Sequence, residues 1–237
     1  MRSYRRHRRR SLIGRMLQAA VGLLLLFAGI SVLAVFGLRM IDPPFTMVML
    51  IEPGPVAGIE QRWVPRASMA ESIARAVIAA EDQRFLMHHG IDLDALGAAV
   101  ADYQRGDDLR GASTITQQVA KNLFLWNGRS FVRKGLEAWF ALLIDAVWSK
   151  QRTLEVYLNV AEFGDGVFGV EAASARFFGV EAGDLTEAQA ATLAGVLPSP
   201  KRMDARNPGD YLQGRRREIL EQMRLLEERG HYQGLDW

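Results

Sequence analysis

The stretch GASTITQQVAKNLF, residues 111–124, has the pattern of one amphipathic helix with an unusual polar side. Ser113 is the predicted N-cap, and Ile115, Val119 and Leu123 recur every four residues, as expected of a face turned toward a core. The other face consists of hydroxyls and amides and ends in one ammonium group: Thr114, Gln117, Gln118 and Lys121. Exposed helix faces usually carry pairs of opposite charges instead. The stretch therefore predicts either a hydrogen-bonding surface for a polar ligand or an ordinary polar surface helix.

Helical periodicity continues on both sides of this stretch. Few alternating β-branched runs occur after residue 67, so the sequence predicts an all-α domain over residues 67–237. Two capping boxes are expected, Ser68 with Glu71 and Thr186 with Gln189. The predicted helices cover residues 69–82, 92–104, 114–125, 131–148, 153–162, 169–178, 187–196 and 209–229. The last of them is apolar on one side only and is expected to cover the domain as an amphipathic lid.

The N-terminal part of the chain has a different composition. Residues 1–15 hold seven arginines and no acid, and residues 16–38 hold no charge. A helix over residues 16–38 would be about 34 Å long, which is enough to cross a bilayer. The arginines then predict a cytoplasmic segment 1–15, a transmembrane helix 16–38, and a connector 39–66 beyond the membrane that Pro53 and Pro55 interrupt. A cleaved signal peptide is the alternative, although its apolar part is normally shorter.

The composition also excludes some function classes. The formal net charge is +2, and since seven arginines lie in the first 15 residues, the remainder of the chain is net acidic. An acidic body argues against a general nucleic-acid binder. The chain has no cysteine, so it has neither a disulfide framework nor a thiolate site.

Glu81 is the first candidate for chemistry. Ala74, Val77 and Ile78 precede it at helical spacing, so its carboxylate shares the apolar side of the helix. Partial desolvation raises the pKa of such a carboxylate and suits it to proton transfer near neutral pH. The alternative is a glutamate at a helix end that turns out to solvent or pairs with Arg84.

The loop EDQRFLMHHGIDLD, residues 81–94, brings histidines and carboxylates close together. His88, His89 and Asp92 permit the interpretation of a metal site, but adjacent histidines do not have the i, i+4 spacing of helical zinc ligands. A turn at Gly90 is the other interpretation. In that case His88 and Asp92 brace this loop and the carboxylate at its start.

A second carboxylate lies among cations further along the chain. Glu137 follows Arg133 and Lys134 at helical spacing, and Arg129 comes shortly before them. Phe140 continues the helix face of Glu137, which places this carboxylate at an apolar boundary as well. An ordinary helix ion pair, worth about 0.3 to 0.5 kcal/mol, is the alternative.

Five segments in order resemble the motifs of the peptidoglycan glycosyltransferase family, the enzymes that polymerise lipid II into glycan strands. In chain order they are EDQRF with His88 and Gly90, GASTITQQ with Lys121 and Asn122, RKGLE, KQRTLEVYLN, and EFGDGVFGVEAA. The resemblance covers about residues 62–208 together with the anchor. RWVP and RKGLEAWF are similar to the monofunctional biosynthetic branch, and no SxxK or KTG motif of a penicillin-binding transpeptidase occurs.

The resemblance implies a lysozyme-like helical glycosyltransferase domain on the outer face of the cytoplasmic (inner) membrane. It implies an inverting hexosyltransferase of cell wall biosynthesis that makes linear β-1,4 strands and releases undecaprenyl diphosphate. Glu81 is then the general base, and Glu137 is a second catalytic carboxylate that positions cations or a metal. Lipid II, the growing lipid-linked glycan, the membrane, and cell-division or elongation proteins are the expected partners, and nucleic acid is not.

The same resemblance implies roles for the remaining motif residues. Substrate binding is expected from Ser113, Thr114, Gln117, Gln118, Lys121, Asn122, Arg129, Arg133 and Lys134. Support of the loop is expected from Asp82, Phe85 and His88. No cofactor is obligatory, Mg²⁺ or Mn²⁺ at the diphosphate is compatible with this set, and no metal ligand is assigned. A lytic glycosidase of similar fold and a non-catalytic scaffold are the alternative functions.

Overall fold

The computed structural model describes four stretches of the chain: residues 2–51, 58–106, 113–128 and 130–237. For residues 2–11 it describes the backbone alone. The predicted break at Pro53 and Pro55, the start of the second motif at Gly111 and Ala112, and Arg129 lie outside the described residues.

The chain divides into two compact units, Met1–Ile41 and Asp42–Trp237. The first unit contains helix α1, Arg2–Met40. Within it, Leu12–Met40 has a mean hydropathy of 2.6 and is long and apolar enough to cross a membrane. The stretch predicted as a transmembrane helix, residues 16–38, therefore lies inside one continuous helix. The second unit includes most of the residues assigned to the connector.

The second unit is mostly helical, as the sequence predicts. Each predicted helix has a counterpart whose ends differ by at most three residues. Its helices are α2 (Met47–Ile51), α3 (Glu71–Glu81), α4 (Leu93–Gln104), α5 (Ile115–Phe124), α6 (Phe131–Val147), α7 (Lys150–Val160), α8 (Val170–Phe178), α9 (Glu187–Val196) and α10 (Asp210–Glu228). Short 3₁₀ turns cover Arg66–Ser68 and Ala182–Asp184.

One of the two predicted capping boxes is wrong. Ser68 ends a 3₁₀ turn, and the N-cap of α3 is Ala70, which makes no side-chain capping bond. The box at the start of α9 is confirmed, because the Thr186 hydroxyl accepts a hydrogen bond from the Gln189 backbone N–H while Gln189 Oε1 accepts one from the Thr186 N–H at 3.0 Å. α9 accordingly begins where its sequence predicts.

A small sheet joins the connector to the helical domain. Strands β1 (Glu60–Gln61), β2 (Glu162–Gly164) and β3 (Val167–Phe168) lie in the order β1-β3-β2. β1 runs parallel to β3, and β2 runs antiparallel to it. Gly166, with φ of +72°, makes the turn between β2 and β3. The sequence did not predict this sheet.

The centre of one half of the core is α9. Seven consecutive residues, Ala190–Val196, are buried, so this part of the helix has no solvated face. Both α3 and α10 pack against it. Gly195 allows the close approach of α10, since a Cβ there would lie 2.8 Å from Leu212 Cδ1. The predicted lid is confirmed, because α10 buries one apolar side that includes Leu212 and Ile219.

The second half of the core is organised by α5, which packs against α2, α6 and α7. Its face with Ile115, Val119 and Leu123 is buried, as its periodicity predicts. α4 differs from the other long helices of this unit because none of its residues is buried. The end of α3 and the start of α5 meet between the two halves, and the candidate catalytic residues lie there.

Candidate active site

Glu81 is the last residue of α3 and is half-buried. The Gln118 side chain, on α5, donates a hydrogen bond from Nε2 to Glu81 Oε2 at 2.8 Å. Burial raises the pKa of Glu81, and the Gln118 hydrogen bond and the charges of Arg215 and Lys121 oppose that increase in part, whereas Asp82 adds to it. The expected desolvated carboxylate with a raised pKa is therefore confirmed.

A cavity of about 220 Å³ opens beside Glu81. Its lining comes from the end of α3, the following loop, the start of α4 and the start of α5: Glu81, Asp82, Gln83, Arg84, Asp92, Ala95, Ser113 and Thr114. The cavity brings motif residues that are distant in sequence to one place. It gives a polar ligand access to the Glu81 carboxylate.

Asp82 holds the loop after α3 against the start of α5. Its buried carboxylate lies 2.9 Å from His88 Nε2 and accepts a hydrogen bond from the Ile115 backbone N–H at 3.0 Å. The first N–H groups of a helix have no partner within the helix, and the helix dipole favours an anion near them. Asp82 therefore fixes the separation between Glu81 and α5.

Lys150, at the start of α7, also contacts the loop after α3. Its ammonium donates a hydrogen bond to the His88 carbonyl at 2.7 Å and lies 4.9 Å from the centre of the Phe85 ring. Gly90 has φ of +74°, and a Cβ there would lie 2.7 Å from the Ala141 carbonyl oxygen. The structure thus brings Phe85 and His88 into the supporting positions that the sequence predicts.

The bracing interpretation of the loop fits better than the metal interpretation. Asp92 is the N-cap of α4 and accepts hydrogen bonds from two backbone N–H groups, including that of Ala95 at 2.9 Å. The exposed His89 lies 3.3 Å from Asp145, away from His88. Among the residues that the structure describes, no group of three His, Asp or Glu side chains could hold a metal ion. Arg84 pairs with the acids of α4 rather than with Glu81.

The N-cap of α5 is Thr114 rather than Ser113, which corrects the predicted start of this helix by one residue. Thr114 Oγ1 donates to the Gly90 carbonyl at 2.6 Å and accepts from the Gln117 N–H at 3.1 Å, while Gln117 Oε1 accepts from the Thr114 N–H. Thr114 and Gln117 were predicted to bind substrate, but these groups form a buried capping box. Ser113 is instead free of the cap, and its hydroxyl accepts a hydrogen bond from Lys134 Nζ at 2.8 Å.

Glu137 is buried on α6 with both of its oxygens bound. Arg133 Nη1 donates to Glu137 Oε2 at 2.6 Å, and the Lys134 ammonium donates to Oε1. Arg133 Nε also donates to the Gly128 carbonyl at 2.8 Å. The Lys134 side chain is 45% exposed, and it contacts Ser113, which lines the Glu81 cavity. Glu137 thus holds two cations in place, one of which is accessible.

The remaining predicted substrate residues divide by their position on α5. Gln118 and Lys121 lie on the side of Glu81, where Gln118 binds the carboxylate and the charge of Lys121 acts on it. Asn122 is buried and does not belong to this polar face. Since Thr114 and Gln117 serve the capping box, only Gln118 and Lys121 remain of the polar face that the sequence predicted for α5.

Two residues near Glu81 had no role in the sequence analysis. Tyr157 on α7 is fully buried and donates a hydrogen bond from its hydroxyl to Gln118 Oε1 at 3.1 Å. Arg215 on α10 donates a hydrogen bond to the Ala80 carbonyl at 3.1 Å. Ala80 lies in the last turn of α3, where a cation interacts favourably with the helix dipole. Tyr157 occurs within the KQRTLEVYLN motif, but no spacing in the sequence connects it or Arg215 with Glu81.

This helical domain, with a half-buried glutamate at a cavity and a second glutamate bound to two cations, has the features of an enzyme that transfers glycosyl groups. The sequence model of the family described as Transglycosylase matches residues 52–224, and the chain belongs to that family. The lysozyme-like fold class expected from the sequence is thereby confirmed.

Proteins named "Biosynthetic peptidoglycan transglycosylase" are similar over most of the chain. The protein of Xanthomonas campestris pv. campestris (strain B100) is 51% identical over 216 residues, which are 88% of each chain. The protein of Pseudomonas aeruginosa is 50% identical over 207 residues, which are 84% of this chain and 89% of the relative. The protein of Xylella fastidiosa is 49% identical over 210 residues, which are 86% of each chain.

Proposed function

We propose that this transglycosylase polymerises lipid II into linear β-1,4 glycan strands, with Glu81 as the general base. Glu81 accepts the proton of the acceptor's 4-hydroxyl, and the hydroxyl oxygen attacks the anomeric carbon of the lipid-linked growing strand. The bond from that carbon to the diphosphate breaks, undecaprenyl diphosphate leaves, and the configuration inverts from α to β. One glycosidic bond forms for each lipid diphosphate that is released.

One observation carries this proposal: the half-buried Glu81 lines a cavity together with Ser113, and the Ser113 hydroxyl binds Lys134, one of the two cations on the buried Glu137. Burial raises the pKa of Glu81 toward the range that general bases use. Ser113 connects the two parts, since it lines the cavity and binds Lys134. A sugar hydroxyl and a diphosphate can therefore be bound side by side.

Lys134 is the proposed ligand of the donor diphosphate. Its ammonium is accessible and is oriented by Ser113 and Glu137, whereas Arg133 is largely covered and keeps Glu137 in place. Phosphate oxygens form short charge-assisted hydrogen bonds with such groups. Because both Glu137 oxygens are bound to cations, a Mg²⁺ or Mn²⁺ ion fits here only through oxygens of the diphosphate itself.

The membrane location is proposed from two features of the molecule. Leu12–Met40 is apolar enough to span a bilayer, and the arginines before it favour a cytoplasmic N-terminus, which would put the second unit on the outer side. α4 also exposes apolar side chains along one face, including Leu93 at 72% and Tyr103 at 62%. An apolar helix face in open solvent is costly, whereas a lipid surface would cover it.

The test of the proposed function is incubation of the purified full-length protein with lipid II. Wild type should form glycan polymer and release undecaprenyl diphosphate. Glu81→Gln should lower the rate of polymerisation by at least about 100-fold while lipid II binding remains largely intact. Glu71→Gln, at the exposed other end of α3, is the matched control and should leave the rate unchanged.

The alternative functions give different products in the same experiment. Near-normal polymerisation by Glu81→Gln would reject Glu81 as the base. Shortened glycans from isolated peptidoglycan, with no polymer from lipid II, would identify a lytic enzyme. Binding of lipid II without turnover in wild type would identify a scaffold.

The role of Lys134 is tested separately. Lys134→Ala should raise the concentration of lipid-linked donor needed for half-maximal rate by about tenfold or more, because a charge-assisted hydrogen bond to phosphate is lost. Lys201→Ala is a suitable control, since Lys201 lies near Glu162 on the sheet side of the domain. Unchanged donor affinity in Lys134→Ala would contradict the assignment.

A further inference from the structure

Three side chains from three helices form a hydrogen-bonded row that ends at the proposed base. The Tyr157 hydroxyl on α7 lies 3.1 Å from Gln118 Oε1 on α5, and Gln118 Nε2 lies 2.8 Å from Glu81 Oε2 on α3. Tyr157 is among the largest fully buried side chains. The row therefore begins in the core and ends at the cavity.

The buried phenol determines the direction of these hydrogen bonds. Burial raises the pKa of Tyr157 well above its ordinary value, so the hydroxyl keeps its proton and remains a donor. Gln118 Oε1 is the acceptor that the structure gives it. A glutamine amide has an acceptor end and a donor end. When its oxygen faces Tyr157, its NH₂ group must face Glu81.

We propose that Tyr157 is a positioning residue for Glu81, whose hydroxyl holds the Gln118 amide with the NH₂ group toward the carboxylate. The proposal rests on the proposed function, in which Glu81 acts as the base. With the amide reversed, a carbonyl oxygen would face the carboxylate and would favour its protonated form, which cannot accept a proton from a sugar hydroxyl. Gln118 is then a ligand of the base, in addition to any contact it makes with substrate.

The other groups that act on Glu81 stay the same when the phenol loses its hydroxyl. They are Asp82 next to it in sequence, Lys121 on α5 and Arg215 on α10. Tyr157→Phe keeps the ring and its packing and removes only the donor. Tyr232→Phe is the matched control, because Tyr232 is also buried and donates to a backbone carbonyl, that of Arg75, at 3.1 Å, outside the cavity.

The experiment measures the pH dependence of polymerisation by full-length wild type, Tyr157→Phe, Gln118→Met, the double variant and Tyr232→Phe. Gln118→Met should move the acidic limb of the rate profile up by about one pH unit, because a donor to the ionised carboxylate is lost. Tyr157→Phe should move it in the same direction by a smaller amount. The double variant should match Gln118→Met, since Tyr157 acts through Gln118. Tyr232→Phe should leave the limb in place.

A second readout is independent of activity. The ¹³C signal of the Glu81 carboxyl group, assigned by its loss in Glu81→Gln, reports its titration directly, and the variants should show the same order of shifts. Equal titration of Glu81 in wild type and Tyr157→Phe, or additive shifts in the double variant, would overturn the positioning role. A wild type that makes no polymer would reject the proposed function, and the carboxyl titration would still decide the role of Tyr157.

Discussion

At the residue scale, Glu81 occupies a position that suits catalysis and costs stability. It is half-buried and ends α3, where the helix dipole places partial negative charge. Both effects disfavour the carboxylate form. Gln118 and the cations Lys121 and Arg215 offset part of that cost, so the net result is a raised pKa rather than a permanently neutral acid.

A stability measurement can test this balance. Because the pKa of Glu81 in the folded state is raised above its ordinary value of 4.5, the folded state binds more protons than the unfolded state at pH values between the two pKa values. The free energy of unfolding therefore falls as pH rises through this window. Glu81→Gln has no such charge, so it should be more stable than wild type at pH 8, and the difference should shrink toward pH 4.

Urea or thermal unfolding of both proteins in the same detergent measures this difference. Glu71→Gln again provides the control, since its carboxylate is exposed and ion-paired on the surface. A Glu81→Gln variant that is less stable than wild type at pH 8 would contradict the predicted cost of the buried charge. The expected trade between activity and stability is common at catalytic sites.

The sequence predicted the position of Glu81 but not its partners. Ala74, Val77 and Ile78 place the carboxylate on the apolar side of α3, and that pattern is local. Tyr157 and Arg215 reach the site only because α7 packs on α5 and α10 packs on α3. Such contacts depend on tertiary packing and leave no periodic signal in the chain.

At the element scale, two helices start with the same device in different surroundings. α5 and α9 both begin with threonine and glutamine in a capping box. Thr186 is exposed, whereas Thr114 is buried and also binds the Gly90 carbonyl. The α5 box therefore joins the start of its helix to the loop that follows Glu81, whereas the α9 box caps its own helix alone.

This difference predicts unequal effects of the same substitution. Thr186→Ala should lower the free energy of unfolding by about 1 kcal/mol, the usual cost of a lost N-cap. Thr114→Ala should lower it by about 2 kcal/mol, because the Gly90 carbonyl also loses its donor. Denaturant unfolding measures both, and polymerisation should fall in Thr114→Ala alone. Equal losses in the two variants would show that the Gly90 contact contributes nothing.

The sequence predicted the boundaries of those helices that are long enough to show a periodic pattern of apolar side chains. α2 was missed because five residues, Met47–Ile51, are too few to show a helical period. The strands were missed because each has only two or three residues, and because β1 pairs with β3, which is distant in sequence. α7 begins at Lys150 rather than 153, since Ser149 accepts a hydrogen bond from the Arg152 N–H.

At the scale of the whole molecule, the apolar helix and the enzyme domain are separate compact units. A variant that begins at Asp42 keeps every residue of the second unit. We expect it to fold and to polymerise lipid II in detergent, with a half-maximal substrate concentration at least several-fold higher than that of the full chain, since the anchor concentrates enzyme and substrate on one surface. Complete loss of activity in a folded truncation would contradict this role of the anchor.

The exposed position of α4 has a consequence for motion at the cavity. Since none of its residues is buried, α4 should open locally at a small fraction of the global unfolding free energy, and its amides should exchange with deuterium long before those of the buried residues Ala190–Val196 of α9. Asp92 and Ala95, at its start, form part of the cavity wall. We therefore expect the side of the cavity formed by α4 to open locally and to make room for the proposed lipid-linked saccharide. Glu81 would keep its hydrogen bond to Gln118 of α5 during this opening.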